Sequence, residues 1–310
     1  LVSVAYTDFA NGIVMTIAFL IMLPILWFKA GAWEGIAANF EAMGHTGHMQ
    51  LWGILPPLSI INFCLPPFLL ILGDANMYQR FSAAKDARSA KKASIILIFF
   101  VLLLEIIIIL NAWISSSLVP DAEAGKYILI YSAHQFLPPV LAATILTTLV
   151  GCIISTADSY LLVPATSLIR DIYLKYINPT ANEKHIVLAS RLMVLALGFF
   201  AYWISLGFSN YSGFFERSMY AYTIYGASIT PSLFAAFTWK GATKYGAIAS
   251  ISSGAIMTLL WKETSIFEYF LPEYLYQGID EVLPAIIVSI LSLVLFSKFY
   301  KKAPQQLKNN

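Results

Sequence analysis

The chain has 310 residues, of which 59% are hydrophobic and 12% charged, with a formal net charge of +2. Ordinary soluble domains carry about 25% charged residues, so a soluble globule is excluded. The apolar residues gather into runs of about 18 or more, the length a helix needs to cross roughly 30 Å of hydrocarbon. These runs predict eight transmembrane helices, at residues 9–29, 51–72, 93–117, 138–173, 187–207, 217–239, 244–262 and 283–300. Stretches such as Ile95–Leu110 are apolar on every face, which excludes the alternating strands of a barrel. The expected fold class is all-α, a polytopic membrane bundle forming a single domain over residues 1–310.

The first span is led by Asp8, which reads equally as an interfacial, solvated carboxylate and as a functional one. The loop after it holds His45 and His48, too few ligands for a metal site that would need three or four. The second span carries Pro56-Pro57 and, within its apolar body, Asn62-Phe63-Cys64-Leu65-Pro66-Pro67. Each proline removes a backbone donor and strains the preceding turn, so an unwound or sharply bent segment is expected between Asn62 and Pro67. Breaks of this kind expose backbone groups to solutes in carriers. Asn62 and Phe63 are therefore candidate solute contacts.

The third span contains one carboxyl, Glu105, open to three readings: protonated, solute-binding, or paired with a helix outside this sequence. The fourth interrupts its apolar run with Gly151-Cys-Ile-Ile-Ser-Thr-Ala-Asp-Ser159. An Asp at the bilayer centre costs about 2.5 to 3.5 kcal/mol, so Asp158 should face a cavity or a partner. Ser155, Asp158 and Ser159 share one broad helical face. Their oxygens suit a small hard cation, and equally suit hydroxyls that simply back-bond to the preceding turn. Cys64 and Cys152 both lie within spans, against a disulfide framework or a thiol metal site. There is no Walker loop and no dinucleotide glycine motif. Neither coupling to ATP nor a nucleic-acid partner is expected.

Charge is sorted by loop. The loops after the second, fourth, sixth and eighth spans hold nearly all of the 19 Lys and Arg; only Lys29, Lys126, Arg217 and Lys262 fall in the other set. The basic loops are therefore read as cytoplasmic. With eight spans, both ends of the chain are then cytoplasmic in a multi-pass protein of the cell membrane. Trp27, Trp33, Trp52, Trp113, Trp239 and Trp261 fall near span ends, as an interfacial belt would place them. The chain opens at Leu1 without Met or leader, so a fragment lacking upstream helices is expected, unable alone to complete a transport site.

Five collinear stretches resemble the sodium/solute symporter family. Ser155-Thr-Ala-Asp-Ser-Tyr-Leu-Leu162 followed by Arg170-Asp-Ile-Tyr173 resembles its Ser-Thr motif, and Ala5-Tyr-Thr-Asp8 resembles the opening of its fifth core helix. Gly73-Asp74 with Gln79-Arg80 and Ala84-Lys85-Asp86, Phe237-Thr-Trp-Lys240 with Lys244 and Gly246, and Leu283-Pro-Ala285 complete the series. The resemblance implies a LeuT-like inverted-repeat fold, here the last helix of repeat one, all of repeat two and further C-terminal helices. It also implies a sodium ion held by the Ser155 and Thr156 hydroxyls, the Cys152 carbonyl and an upstream helix. A second sodium or proton position would involve Asp8, with Asp158 a further candidate. Asn11 stands where many members have Gln, and Pro164 where small residues or Ser are common.

The function so implied is sodium-coupled symport of a small organic solute by alternating access, not enzymatic catalysis. The lysine that sugar carriers place in the third span is missing, which favours an amino acid, carboxylate, vitamin or similar solute. A proton-coupled carrier and a symporter-like sensor domain are the rival readings. The lipid bilayer is the other expected partner, and self-association into a homo-oligomer is left open.

Overall fold

A computed structural model describes residues 2–50, 53, 55–120, 127–208, 213–272, 276 and 278–300, with side chains except those of 2–5, 208 and 214. The described residues are helical almost throughout. The chain divides into two compact units, residues 1–54 with 80–203 and residues 55–79 with 204–310.

In the first unit α1 (Val2–Lys29) presents Ala18, Phe19, Met22 and Leu26 as one buried stripe, the spacing of a single helical face. Packed with that stripe are Ile36 and Phe40 of α2 (Ala32–Ala42), Ile107 and Ile114 of α5 (Ala87–Leu118), and Ala142 and Ile145 of α7 (Pro139–Ser167). Gly31, at φ +81°, turns the chain from α1 into α2, and any side chain at Gly35 would fall on the Ala30 carbonyl. Asn111 of α5 is fully buried; its amide donates to the Phe19 carbonyl at 3.1 Å and to the Ile107 carbonyl at 2.8 Å. Such a bond ties two helices together where no water competes. Asp86 caps α5 by accepting from the Ser89 N–H at 2.7 Å, and that bond holds its carboxyl below the usual range.

Helix α7 begins on Pro139 at its first turn, contains Pro164, and passes into π-helical turns over Leu168–Ile177, with Asn178 N–H bonding the Tyr173 carbonyl at 2.8 Å. A proline cannot donate to the turn before it, and a widened register downstream is one way to absorb that loss. The short α6 (Ile128–Phe136) and the 3₁₀ turn Thr46–Met49 were not foreseen in the sequence.

The second unit is built on α9 (Phe214–Thr238), which packs on α3 (Pro57–Gly73), α10 (Lys244–Glu263) and α12 (Val282–Phe299). Gly246, Ser250, Gly254 and Thr258 recur every fourth residue on α10 and are buried, as are Ala285, Ser289, Leu293 and Ser297 on α12. Small residues at this spacing let helix backbones approach closely. The seam is closed by the Ser250–Ser289 hydroxyl bond at 2.8 Å. Thr230 of α9 donates to the Leu69 carbonyl of α3 at 2.6 Å.

The structure corrects the second span. Helix α3 starts at Pro57, where proline suits the first helical turn, and runs unbroken through Pro66 and Pro67. The break lies instead at Asp74, whose backbone is extended and whose Oδ1 accepts from the Asn76 N–H at 2.9 Å, starting α4 (Ala75–Ser82). The prolines cost α3 individual hydrogen bonds, whereas Asp74 offers the backbone a competing cap.

Among the described residues six helices are long and apolar enough to cross a membrane: Tyr6–Lys29, Pro57–Ser82, Ala87–Leu118, Pro139–Ile177, Glu183–Gly207 (the body of α8, Glu183–Phe208) and Val282–Phe299. The two other expected spans form α9 and α10, of 25 and 20 residues. Their lower hydropathy comes from inward-facing groups, including buried Thr223, Ser228, Thr230, Ser232, Ser250 and Thr258. The short helix α11 (Ile266–Phe270) precedes α12.

Candidate functional site

In the first unit, Asp8 of α1, Ser155 and Ser159 of α7 and Arg80 of α4 meet. Ser155 donates its hydroxyl proton to Asp8 Oδ1 in a short bond. Arg80 Nη2 donates to Asp8 Oδ2 at 2.7 Å and to Ser159 Oγ at 3.3 Å. One carboxylate and one hydroxyl thus present hard oxygens to the Arg80 guanidinium, and a second hydroxyl, that of Ser155, bonds the same carboxylate. The cluster is partly open, the Asp8 and Arg80 side chains being 21% and 47% exposed. One turn earlier, Asn11 donates to the Gly151 carbonyl at 3.3 Å, and a Cβ on Gly151 would press on that amide.

The remaining α7 candidates sit differently. Thr156, Asp158 and Cys152 are exposed. Glu105 is likewise exposed on α5, flanked by exposed Leu102, Ile106 and Ile109. Ser155 is the member of the Ser-Thr pair that reaches α1.

Asn62 and Phe63 belong to the second unit. Asn62 is 5% exposed; its amide donates to the Gly278 carbonyl at 3.0 Å, and its Oδ1 has no donor. Phe63 packs edge-on to Phe215, ring centroids 5.7 Å apart. Both line a cavity of about 260 Å³ with Lys262, Asp280 and Glu281. Burial raises the Glu281 carboxyl above the usual range, against the pull of its own backbone N–H and Lys262, and raises Asp280 in the same direction.

Arg80 and the cavity wall at Lys262, Asp280 and Glu281 were missed from sequence. Arg80 was visible within Gln79-Arg80 only as a loop cation, because its partner lies 72 positions away in the chain. The signal that survived was the composition of α7, an apolar helix carrying hydroxyls and a carboxyl. His45 and His48 stack at 5.3 Å between ring centroids, beside Phe40.

The model of the Sodium:solute symporter family matches residues 1–254. The osmoregulated proline transporter of Bacillus subtilis strain 168 is 26% identical over 311 residues, covering 97% of this chain and 60% of its own length. The high-affinity proline transporter of the same organism is 26% identical over 98% of this chain and 62% of its own. A sodium/proline symporter of Staphylococcus aureus is 26% identical over 97% and 59%. A solved Na+-coupled sialic acid symporter, in a substrate-bound outward-open state, matches with a TM-score of 0.63 at 17% identity, over 94% of this chain and 62% of that one. This match shows the expected LeuT-like helical fold. The chain spans about 60% of the length of the first of these relatives.

Proposed function

The chain belongs to the Sodium:solute symporter family, and from that premise we propose that it serves sodium-coupled symport of a small amino acid across the cell membrane, with its basic loops cytoplasmic. The observation that supports the ion side of this reading is the junction of α1 and α7, where Asp8 and Ser159 take up the Arg80 cation and the Ser155 hydroxyl bonds the Asp8 carboxylate. Oxygen donors of this kind suit a hard monovalent cation. Ser155, Thr156 and the Cys152 carbonyl would hold sodium, and Asp8 a second ion or proton, with Asp158 a further candidate for that role. The proline carriers among the relatives support an amino acid, and proline itself is the first to test.

Sodium binding favours the state that also binds solute, so each raises the other's affinity by the same factor. A tenfold gradient supplies about 1.4 kcal/mol and 100 mV about 2.3 kcal/mol, together enough to accumulate solute several-hundred-fold per ion. The test is proline uptake by the full-length protein in proteoliposomes, driven by a sodium gradient or by a proton gradient alone. Uptake under sodium only supports the reading. Uptake under the proton gradient without sodium replaces it with the proton-coupled carrier.

A further inference from the structure

The seam of α10 and α12 is buried on one side, at Gly246, Ser250, Gly254 and Thr258, and open on the other. Along the open side runs a groove of about 470 Å³, lined by Tyr245, Ile248, Ser252 and Ile256 of α10, by Phe296 of α12 and by Tyr300 just beyond it. Tyr245, Ile248, Ile256, Phe296 and Tyr300 are each 44% to 54% exposed, so a continuous apolar surface stands uncovered among the described residues. Ile248, Ser252 and Ile256 recur every fourth residue and so share one helical face. At about 1.5 Å per residue, Tyr245 to Ile256 spans about 16 Å, close to half of the roughly 30 Å hydrocarbon core. The groove is as long as one leaflet is deep.

Its mouth differs from its floor. The Tyr245 and Tyr300 rings meet there with centroids 5.1 Å apart, and Phe296 stacks on Tyr300 at 6.2 Å. Tyrosine rings favour the headgroup level of a bilayer. Lys244 stands one turn before Ile248 on the groove face, is exposed, and makes no ion pair among the described residues. It also opens α10. Thr243 caps this end by accepting from the Gly246 N–H at 3.1 Å, while the N–H groups of Lys244 and Tyr245 have no partner among the described residues. Unpaired first-turn donors and the helix dipole favour an anion beside the lysine. No carboxylate of either helix competes for this position: α12 contains no Asp or Glu, and the one in α10, Glu263, lies at its far end.

These features select the occupant. A zwitterionic solute would find no carboxylate here for its amine, and no three acidic, His or Cys side chains converge on a metal ion among the described residues. An apolar groove of leaflet length, ending in aromatic rings and a cation without a partner, matches an amphiphile with an anionic head. We propose that the outer groove of the α10–α12 seam binds an anionic phospholipid of the phosphatidylglycerol type. One acyl chain lies along Ile248, Ser252 and Ile256, and the phosphate meets Lys244 and the first turn of α10. Basic pockets between membrane helices recognise such headgroups through charge. The site shares no residue with the Asp8–Ser155 cluster, and its occupancy does not depend on which solute is carried.

The experiment is native mass spectrometry of the full-length protein in detergent, titrated with palmitoyl-oleoyl phosphatidylglycerol or with phosphatidylcholine bearing the same chains. The first phosphatidylglycerol should bind at least tenfold more tightly than phosphatidylcholine. Lys244→Gln, at an exposed side chain, should reduce that preference to below threefold. Lys298→Gln should leave it unchanged, because Lys298 is exposed two residues from both Phe296 and Tyr300 and therefore off the groove face. Ser252→Trp sets a ring in the groove from an exposed position and should weaken phosphatidylglycerol binding at least tenfold. The proposal is overturned if the two lipids bind equally, or if Ser252→Trp leaves phosphatidylglycerol affinity unchanged. It is overturned too if both lysine variants lower binding alike, which is general attraction to basic loops. A dimer that Ser252→Trp dissociates would assign the groove to a second copy of the chain and overturn it as well.

Discussion

The α10–α12 seam and the polar face of α7 use the same small and hydroxylated residues to opposite ends. On α10 the hydroxyls close on neighbours: Ser250 bonds Ser289 at 2.8 Å and Thr258 donates to the Gly254 carbonyl at 2.9 Å, all of them buried. On α7, Ser155 and Ser159 reach out to Asp8 and Arg80, while Thr156 and Asp158 stay exposed. Polar groups that satisfy one another inside a bundle are packing devices. Polar groups with a carboxylate and an open side are candidates for handling ions. The contrast therefore lies in what each hydroxyl faces, which residue type alone does not reveal.

The largest expected effect is on the packed side. A Cβ at Gly254 would lie 2.9 Å from the Ser228 Cα and 3.0 Å from the Ala227 carbonyl oxygen, and backbone atoms cannot step aside. Gly254→Val should destabilise the protein by about 1 to 3 kcal/mol or more. Leu195→Ala, on the exposed face of α8, should stay within about 0.5 kcal/mol. Thermal unfolding in detergent measures both, and equal effects would erase the distinction between the seam and an open face.

Much of the packed side was legible in sequence, because long apolar runs betray membrane helices whatever their partners. The boundaries of the span at 244–262 differ from α10 by a single residue. What failed was local competition. Pro66 and Pro67 marked a strained stretch that the rest of α3 holds in helix, while the actual break at Asp74 depends on a side-chain cap. Helices α2 and α6, at 11 and 9 residues, were too short and too polar in context to stand out. On the open side, Asp8, Ser155 and Asp158 were visible as polar residues in apolar surroundings. The tie from Asp8 to Arg80 was not, since spacing along one helix carries no information about a charge from another segment. For the same reason, sequence flagged Thr156 together with Ser155 but did not separate the one that reaches α1 from the one left exposed.

A smaller effect is expected at Glu281, at the entrance to α12. Burial raises its carboxyl above the ordinary value, so the folded state binds the proton more tightly than the unfolded one. Stability then falls as pH rises through the window between the unfolded and folded values, and stays lower above it. Glu281→Gln removes that dependence. The variant should melt higher than the parent at pH 7, with the gap narrowing as pH falls through the window between the raised folded value and the unfolded one and closed below about 4.3. A gap that stays constant from pH 4 to pH 8 would show that the buried charge is compensated by its neighbours.

The claim that the open side of α7 handles sodium is tested most directly by the sodium concentration for half-maximal proline uptake, measured for Ser155→Ala in the full-length protein. Ser155 bonds the Asp8 carboxylate. Losing one oxygen to a charged partner corresponds to about 1.5 to 3 kcal/mol. The account predicts that the half-maximal sodium concentration rises at least tenfold while the maximal rate changes less than twofold. An unchanged sodium dependence with a reduced maximal rate would contradict it and return Ser155 to the same packing role that Ser250 has on α10.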